Sequence, residues 1–374
     1  MRKTFRYRLN PTKAQRTKLN QALESCRKVY NDTLALRKDS WEQEQKSLSL
    51  YDTNKMLTGW KAERPELKDV HSQVLQNVQE RVDLAFKAFF RRVKAGDKPG
   101  FPRFKGYGRY DSFTFKQSGF KLSGSQLTIS KIGDVKIILH RPTEGQCKTL
   151  TIQRDRLGNW YACFSCVVEP KPLPVSSEMV GIDLGLTTFA TLSNGETIER
   201  QRWIKRDESD LKRIQRKISK LDKGTPERRK AIQALNHVHT RIKNRRNNFA
   251  HQESRKLVNR FGLIVFEKLD IDGMQTNGNK TINKGIADVA WGMMLNFSAY
   301  KAEYAGRGYL RINPKGTTQD CSGCGETVPK DLSIRIHHCP NCGLKIGRDL
   351  NAALNILARG LAGLGNQSVE AHAL

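Results

Sequence analysis

The chain has 374 residues and a mass of 42.5 kDa, so at roughly 150 residues per domain two or three domains are expected. Sixty-six Lys and Arg against 37 Asp and Glu give a formal charge of +29, which points to a polyanionic partner. No apolar run reaches the length of about eighteen residues that a membrane-spanning helix requires, and Met1–Asn10 lacks the apolar centre of a secretory signal. Eight cysteines, four of them in paired CxxC knuckles, suit a metal site in a reducing compartment better than a disulfide framework. A soluble, cytoplasmic nucleic-acid protein without membrane contact is expected.

In chain order, Thr4–Leu9 alternates like a short strand and runs into Pro11-Thr12-x-x-Gln15. Thr12 is placed to cap a helix and Gln15 to reach back. Leu19, Leu23, Cys26, Tyr30 and Leu34 follow at helical spacing. Val74, Leu75, Val78, Val82, Phe86, Phe89 and Phe90 mark one face of a second helix, read as a helix-packing core. Residues 96–109 (GDKPGFPRFKGYGR) break the pattern and interleave basic residues with Phe101, Phe104 and Tyr107. From Ser112 to Val168 short β-type runs separated by glycine turns predict a meander or small barrel. Cys163 and Cys166, three apart on a strand, point to opposite faces and are not expected to chelate.

Glu169–Glu178 (EPKPLPVSSE) reads as a semi-rigid linker, with a domain boundary near residue 175. Met179–Leu192 then supplies two strand-like runs. Residues 205–259 form a helical hairpin broken at Gly224-Thr225-Pro226, with Thr225 as cap and Pro226 at the first helical position. Between residues 201 and 260 there are 19 Lys or Arg against 6 Asp or Glu, which favours a phosphate-tracking role over a merely solvated face. Leu263–Glu267 is a strand, and 272–285 a Gly/Asn-rich loop, either a lid or a plain connector. A helix around Trp291–Gly306, a strand at Leu310–Ile312 and a final helix, Asp349–Ala362, complete the pattern, with a frayed tail.

Cys321-x-x-Cys324 and Cys339-x-x-Cys342, each followed by glycine, offer four thiolates. Such a set satisfies tetrahedral zinc completely and leaves no open position, so the site is structural. His337 and His338 are alternative ligands that two complete pairs make unnecessary. Three carboxylates stand out elsewhere. Asp183 sits between Gly181 and Gly185 on a strand, a setting that suggests open space for a metal and a phosphate. Glu267 ends a buried apolar strand, where open α/β sheets carry their sites. Asp349 opens an apolar-patterned helix. Singly, these are a turn residue, a solvated strand end and an N-cap, and spacing does not show that they converge.

Gly181-Ile182-Asp183-Leu184-Gly185, Val265-Phe266-Glu267-Lys268-Leu269, the paired CxxC cluster and the run from Arg348-Asp349 to Asn355-Ile356 resemble the TnpB family. These are transposon-encoded, RNA-guided DNA endonucleases related to compact type V CRISPR nucleases. The front half adds Arg6–Pro11 (RYRLNP), Val29-Tyr30-Asn31, Leu75-Gln76-Asn77 and Gly100–Lys105 (GFPRFK), so nearly the whole chain is covered. The resemblance implies a multi-domain α+β and α/β architecture. Its parts are a helical recognition lobe (11–95) and a small β-barrel wedge domain (1–10 and 96–175). An RNase H-like (RuvC) nuclease domain (176–317 and 347–362, with the basic hairpin 205–259) follows, with an inserted four-cysteine zinc ribbon (318–346) and a frayed tail (363–374). Asp183, Glu267 and Asp349 match the family's catalytic carboxylates and would hold Mg²⁺, commonly two ions about 4 Å apart, for phosphodiester hydrolysis. Gly347 stands where the family often has another acid.

The resemblance further implies a guide RNA from the transposon end, a double-stranded DNA target with an adjacent motif, and a prokaryotic, nucleoid-associated location. Tyr51, Gln76 and Asn77 are candidate motif readers, and Arg103 and Lys105 candidate nucleic-acid contacts. Gln and Asn suit an adenine edge, or are helix-surface residues touching nothing. A nuclease-inactive RNA-guided repressor and a strand-transfer transposase are the alternatives. The intact acids argue against the first. Against the second stand the zinc-ribbon insertion and the front-half match.

Overall fold

A computed structural model describes residues 1–271, 273–274, 280–331 and 333–371, the side chains of 280–282 and 365–371 aside. It has mixed α/β architecture and divides into two compact units, Met1–Glu169 and Pro170–Leu374.

The first unit joins a curled sheet to three helices. β1 (Arg2–Asn10) leads into α1 (Lys13–Glu44), α2 (Leu50–Glu63) and α3 (Ser72–Lys94). α1 starts where the sequence predicts: Gln15 N donates to Thr12 Oγ1 at 3.3 Å and Thr12 N to Gln15 Oε1 at 2.9 Å. It packs on α3, burying Leu19, Leu23 and Leu34 together with Val74, Leu75, Val78 and Val82. The remaining strands are β2 (Ser112–Phe115), β3 (Phe120–Ser123), β4 (Gln126–Ile129), β5 (Gly133–Ile138), β6 (Gln146–Arg154) and β7 (Trp160–Val167). The sheet order is β2-β6-β7-β1-β5-β4-β3, so the strand made first lies in the middle. Alternation along β1 buries Phe5, Tyr7 and Leu9, while Arg6 on the other face lies 3.6 Å over the Tyr161 ring. Phe120 on the edge strand β3 reaches Phe164 on β7, four strands away in sheet order, with ring centroids 6.3 Å apart. Such a contact requires strong curling. Along β7, Cys166 is buried and Cys163 faces the opposite side. β3 was not legible in the sequence, because a four-residue strand with one aromatic carries little periodicity.

The second unit is built on β8 (Met179–Leu184), β9 (Ala190–Leu192), β10 (Thr197–Ile198), β11 (Leu263–Glu267) and β12 (Gly308–Ile312), in the order β10-β9-β8-β11-β12. β8, β11 and β12 are parallel, while β9 and β10 run antiparallel. The helices are α4 (Trp203–Arg206), α5 (Glu208–Ser219), α6 (Pro226–Arg260), α7 (Lys280–Val289), α8 (Trp291–Ala305) and α9 (Arg348–Ala371), with a hairpin of β13 (Ile336–His338) and β14 (Lys345–Gly347) ahead of α9. A parallel strand covered on both faces reads as a continuous apolar run, which explains Leu263-Ile264-Val265-Phe266. Val180, Ile182, Ile264 and Phe266 face Leu257 and Val258 of α6 and Trp291, Met294 and Leu295 of α8. Leu263 and Val265 face Ile356 of α9.

Three expectations are revised here. The proline-rich segment is not a free connector: Lys171 N donates to Tyr304 O at 2.8 Å and Leu173 N to Ala305 O at 3.0 Å, and the chain divides before it, at 169–170. Prolines at every second position leave those N–H groups to make the bonds. The supposed loop 272–285 is helical from Lys280 onward, with Ile286 and Val289 buried one turn apart; its residues 272 and 275–279 lie outside the described residues. The last helix continues through Ala371 rather than fraying after 362, and 372–374 lie outside the described residues.

The basic hairpin is also less free than its charge suggests. Leu211 and Ile214 pack with Val238 and Ile242. Arg241 and Arg245 both grip the buried Asp207, at 2.9 and 2.7 Å, and Arg246 grips the buried Asp288 at 2.8 Å. These three guanidiniums hold α6 in place.

Candidate functional site

The strand register brings the first two carboxylates together. β11 pairs with β8 in parallel, ending at Phe266 opposite Ile182. One further step sets Glu267 beside Asp183, on strands about 4.8 Å apart. Asp183 shares its face with Gly181, and that face is covered by α9. A Cβ on Gly181 would lie 2.2 Å from Ala353 O and 2.5 Å from Leu357 N; one on Gly360 would lie 2.7 Å from Val265 Cγ2. The helix backbone therefore touches the strand at Gly181.

That contact brings up the third carboxylate. Two strand residues from Gly181 to Asp183 advance about 6.6 Å. Four helical residues from Ala353 back to Asp349 advance about 6 Å. Asp349 is thus level with Asp183 at the carboxyl ends of the strands. The glycines serve a different purpose from the one the sequence suggested. Gly181 admits the helix, and Gly185 avoids a Cβ 2.7 Å from Thr188 O; neither leaves open space for a phosphate.

Electrostatics register the same proximity. Asp183 is 9% exposed, and its carboxyl is pushed up to about 8, by burial first and then by the charges of Glu267 and Asp349, with Arg348 opposing. Glu267 is raised by burial, against the Thr317 hydroxyl and Arg359, which pull it down. The Thr317 hydroxyl donates to Glu267 Oε1. Arg348 Nε and Nη2 donate to Asp349 Oδ1 at 3.2 and 3.1 Å. A buried carboxylate raised by two neighbouring acids, all three offering hard oxygen donors, is a chemistry that a divalent cation such as Mg²⁺ fits.

The four cysteines form a second centre. Cys321, Cys324, Cys339 and Cys342 have sulfur atoms all within 4.8 Å of one another. Cys321 and Cys342 are 3.6 Å apart, as are Cys324 and Cys339. Zn–S bonds of about 2.3 Å imply tetrahedral edges of about 3.8 Å, so the donor set fits zinc. Gly325 N donates to Cys321 O at 2.9 Å and Gly343 N to Cys339 O at 3.0 Å. Both glycines have left-handed φ, +80° and +75°, the conformation that closes each knuckle.

Thr317, Asn351 and Asn355 were missed in the sequence reading. Asn351 donates to Asp320 O at 2.8 Å and accepts from Ser322 N at 2.9 Å; Asn355 donates to Thr317 O and Asp320 O at 2.9 and 2.7 Å. The two amides tie α9, which carries Asp349, to the segment that carries Thr317 and enters the cysteine cluster. The i,i+4 spacing of Asn351 and Asn355, continued by Arg359 on Asp320, is the sequence signal that could have found the two amides; no local pattern marks Thr317.

The candidate nucleic-acid residues all belong to the first unit. Tyr51 is 68% exposed, with Lys55 Nζ 4.4 Å from its ring. Gln76 and Arg103 are exposed. Asn77 uses both ends of its amide locally, donating to Glu80 at 3.0 Å and accepting from Arg81 at 3.1 Å. Lys105 is clamped through its main chain by Asn31, which donates to its carbonyl at 3.0 Å and accepts from its N–H at 2.8 Å.

Residues 163–278 match the family described as "Probable transposase", 291–356 the "Cas12f1-like, TNB domain", and 1–46 a "Helix-turn-helix domain"; the last span here is one strand and one long helix. The chain is 33% identical to the "Putative RNA-guided DNA endonuclease" of Streptomyces pristinaespiralis, over 97% of this chain and 90% of that protein. It is 30% identical to "Putative RNA-guided DNA endonuclease InsQ" of Escherichia coli K12, over 96% and 92%. It is also 29% identical to "TnpB-like protein L79" of Acanthamoeba polyphaga mimivirus, over 57% and 44%. The protein in the "Cas12f1-sgRNA-target DNA complex" shares its fold at a TM-score of 0.58, with 14% identity, covering 90% of this chain and 81% of that one. With near-full-length identity at this level, the chain belongs to the TnpB family.

Proposed function

We propose that the protein is an RNA-guided DNA endonuclease that hydrolyses phosphodiester bonds at a magnesium-dependent, RuvC-like site formed by Asp183, Glu267 and Asp349. One observation carries the site assignment: Asp183 feels the charges of both other carboxylates while 9% exposed. Asp183 and Glu267 on neighbouring strands, with Asp349 near enough to raise the Asp183 carboxyl, suit a multivalent cation. The strand order β10-β9-β8-β11-β12, with three parallel strands after two antiparallel ones, supports an RNase H-like reading of this unit. Asp183, Glu267 and Asp349 would hold magnesium, which would supply the positive charge needed to activate water and to stabilise the leaving 3′ oxygen in phosphodiester hydrolysis. The chain's own residues hold the ligands: Thr317 orients Glu267, and Arg348 fixes Asp349. Zinc in the cysteine cluster is structural, since four thiolates fill its coordination.

The helices of the first unit act as recognition lobe and its curled sheet as a barrel-like wedge. The guide RNA derives from the transposon end, and the DNA carries a target-adjacent motif read by Tyr51 and Gln76. Arg103 and Lys105 contact the backbone; Asn77, committed to Glu80 and Arg81, positions the α3 surface. Among the described residues no helix is long and apolar enough to cross a membrane. The location proposed is cytoplasmic and nucleoid-associated, on the strength of the RNA-guided DNA endonucleases among its relatives.

Asp183→Ala, Glu267→Ala and Asp349→Ala are each expected to abolish magnesium-dependent cutting while guide and target binding persist. Near-normal cutting by any one of them would remove that residue from the site. Binding without cutting by the wild-type protein would favour the repressor reading instead.

A further inference from the structure

The aromatic stripe of α3 does not enter the core along its whole length. Val74, Val78 and Val82 are buried, whereas Phe90 is 59% exposed. Phe86, Phe89, Phe90 and Phe101 form one cluster with ring centroids 5.2 to 6.3 Å apart. With Trp41 of α1, itself 53% exposed, they line an open groove of about 330 Å³, a size that accepts a small planar ligand. On the α1 side the groove carries both signs: Lys38 pairs with Glu42 at 3.6 Å, and Arg37, held by Asp83 at 3.0 Å, lies 4.6 Å over the Phe86 ring. The rim is basic on the α3 side, where Arg91, Arg92 and Lys94 stand in the last turn beside Phe89 and Phe90. Between Phe86 and Lys105 seven Lys or Arg stand against one Asp.

We infer that this groove holds an unpaired base of the guide RNA, stacked on the Trp41 and Phe90 rings, with the adjoining phosphates on the basic rim. Aromatic faces combined with cationic edges are how single strands are held without sequence preference. Three occupants of an exposed apolar groove can be weighed. A second copy would bring another +29 of charge to a basic rim, and like charge repels it. Target DNA arrives and leaves, whereas exposed apolar surface needs a standing cover. The guide RNA is the resident polyanion. The inference rests on the RNA-guided reading above.

The test uses the full chain and its guide RNA. Binding is measured over a salt series for wild type, for Trp41→Ala/Phe90→Ala, and for the aromatic-retaining Trp41→Phe/Phe90→Tyr. The alanine pair should lose about fivefold or more in guide affinity with an unchanged salt slope, because stacking releases no counterions. The aromatic pair should bind like wild type. Unchanged affinity of the alanine pair would overturn the inference, and so would a loss that the aromatic pair shares, which reports on folding. Loss for single-stranded target DNA alone would move the groove to the DNA. A shift in self-association at constant RNA affinity would assign it to a second copy; either result overturns the guide assignment. Wild-type protein that retains no guide RNA would remove the RNA-guided reading itself, and the inference with it.

Discussion

Replacing Asp183 by asparagine isolates the electrostatic tension at the carboxylate cluster. The carboxyl titrates near 3.8 when exposed and near 8 in the folded chain. Between those values the folded state binds the extra proton, so stability falls as pH rises from about 4 to about 8. Four pKa units at 1.36 kcal/mol each set a ceiling of about 5 kcal/mol. The asparagine variant has the same shape and no charge. In magnesium-free buffer at pH 8 it should therefore be more stable than wild type by up to about 5 kcal/mol, and the difference should vanish near pH 4. Hydrogen exchange of the β8 and β11 amides reports this locally, and chelators are left out so that the cysteine cluster keeps its metal. Magnesium at pH 8 should narrow the difference. A cation at a hundred times its Kd stabilises wild type by about 2.7 kcal/mol, whereas the variant gains far less. Parallel pH curves for the two proteins, or equal stabilisation by magnesium, would refute the reasoning.

Gly181→Ala forces a Cβ to within 2.2 Å of the Ala353 carbonyl; since backbone cannot give way as a side chain does, at least about 1–3 kcal/mol of destabilisation is expected, read by urea unfolding. Cys324→Ser, or zinc removal, should release the segment around 321–342 to proteolysis, because so short a segment has no core of its own; an active protein without zinc by metal analysis would contradict this. Gln76→Ala, assayed on a library of randomised target-adjacent motifs, should relax preference at one position by about 1–3 kcal/mol with guide RNA binding intact; an identical motif profile would return Gln76 to the scaffold.

Local chemistry was readable in the chain itself. Thr12 and Thr225 cap their helices as their neighbours dictate, and the paired CxxC knuckles close because each motif is complete within a few residues. The apolar run Leu263–Phe266 announced a strand buried on both faces. The convergence of Asp183, Glu267 and Asp349 was available only through resemblance, since residues so far apart in sequence meet through a parallel register and a helix–strand contact that no local pattern encodes. Gly181 shows the difference most directly. Its presence beside Asp183 was visible, but its reason lay in Ala353 and Leu357, 172 and 176 residues away. The hairpin makes the same point: charge counting revealed the basic excess, while folding determined that Arg241, Arg245 and Arg246 neutralise Asp207 and Asp288. Periodicity and caps act over one or two turns of chain, but which acids share a site and which cations remain free is set by packing between distant segments.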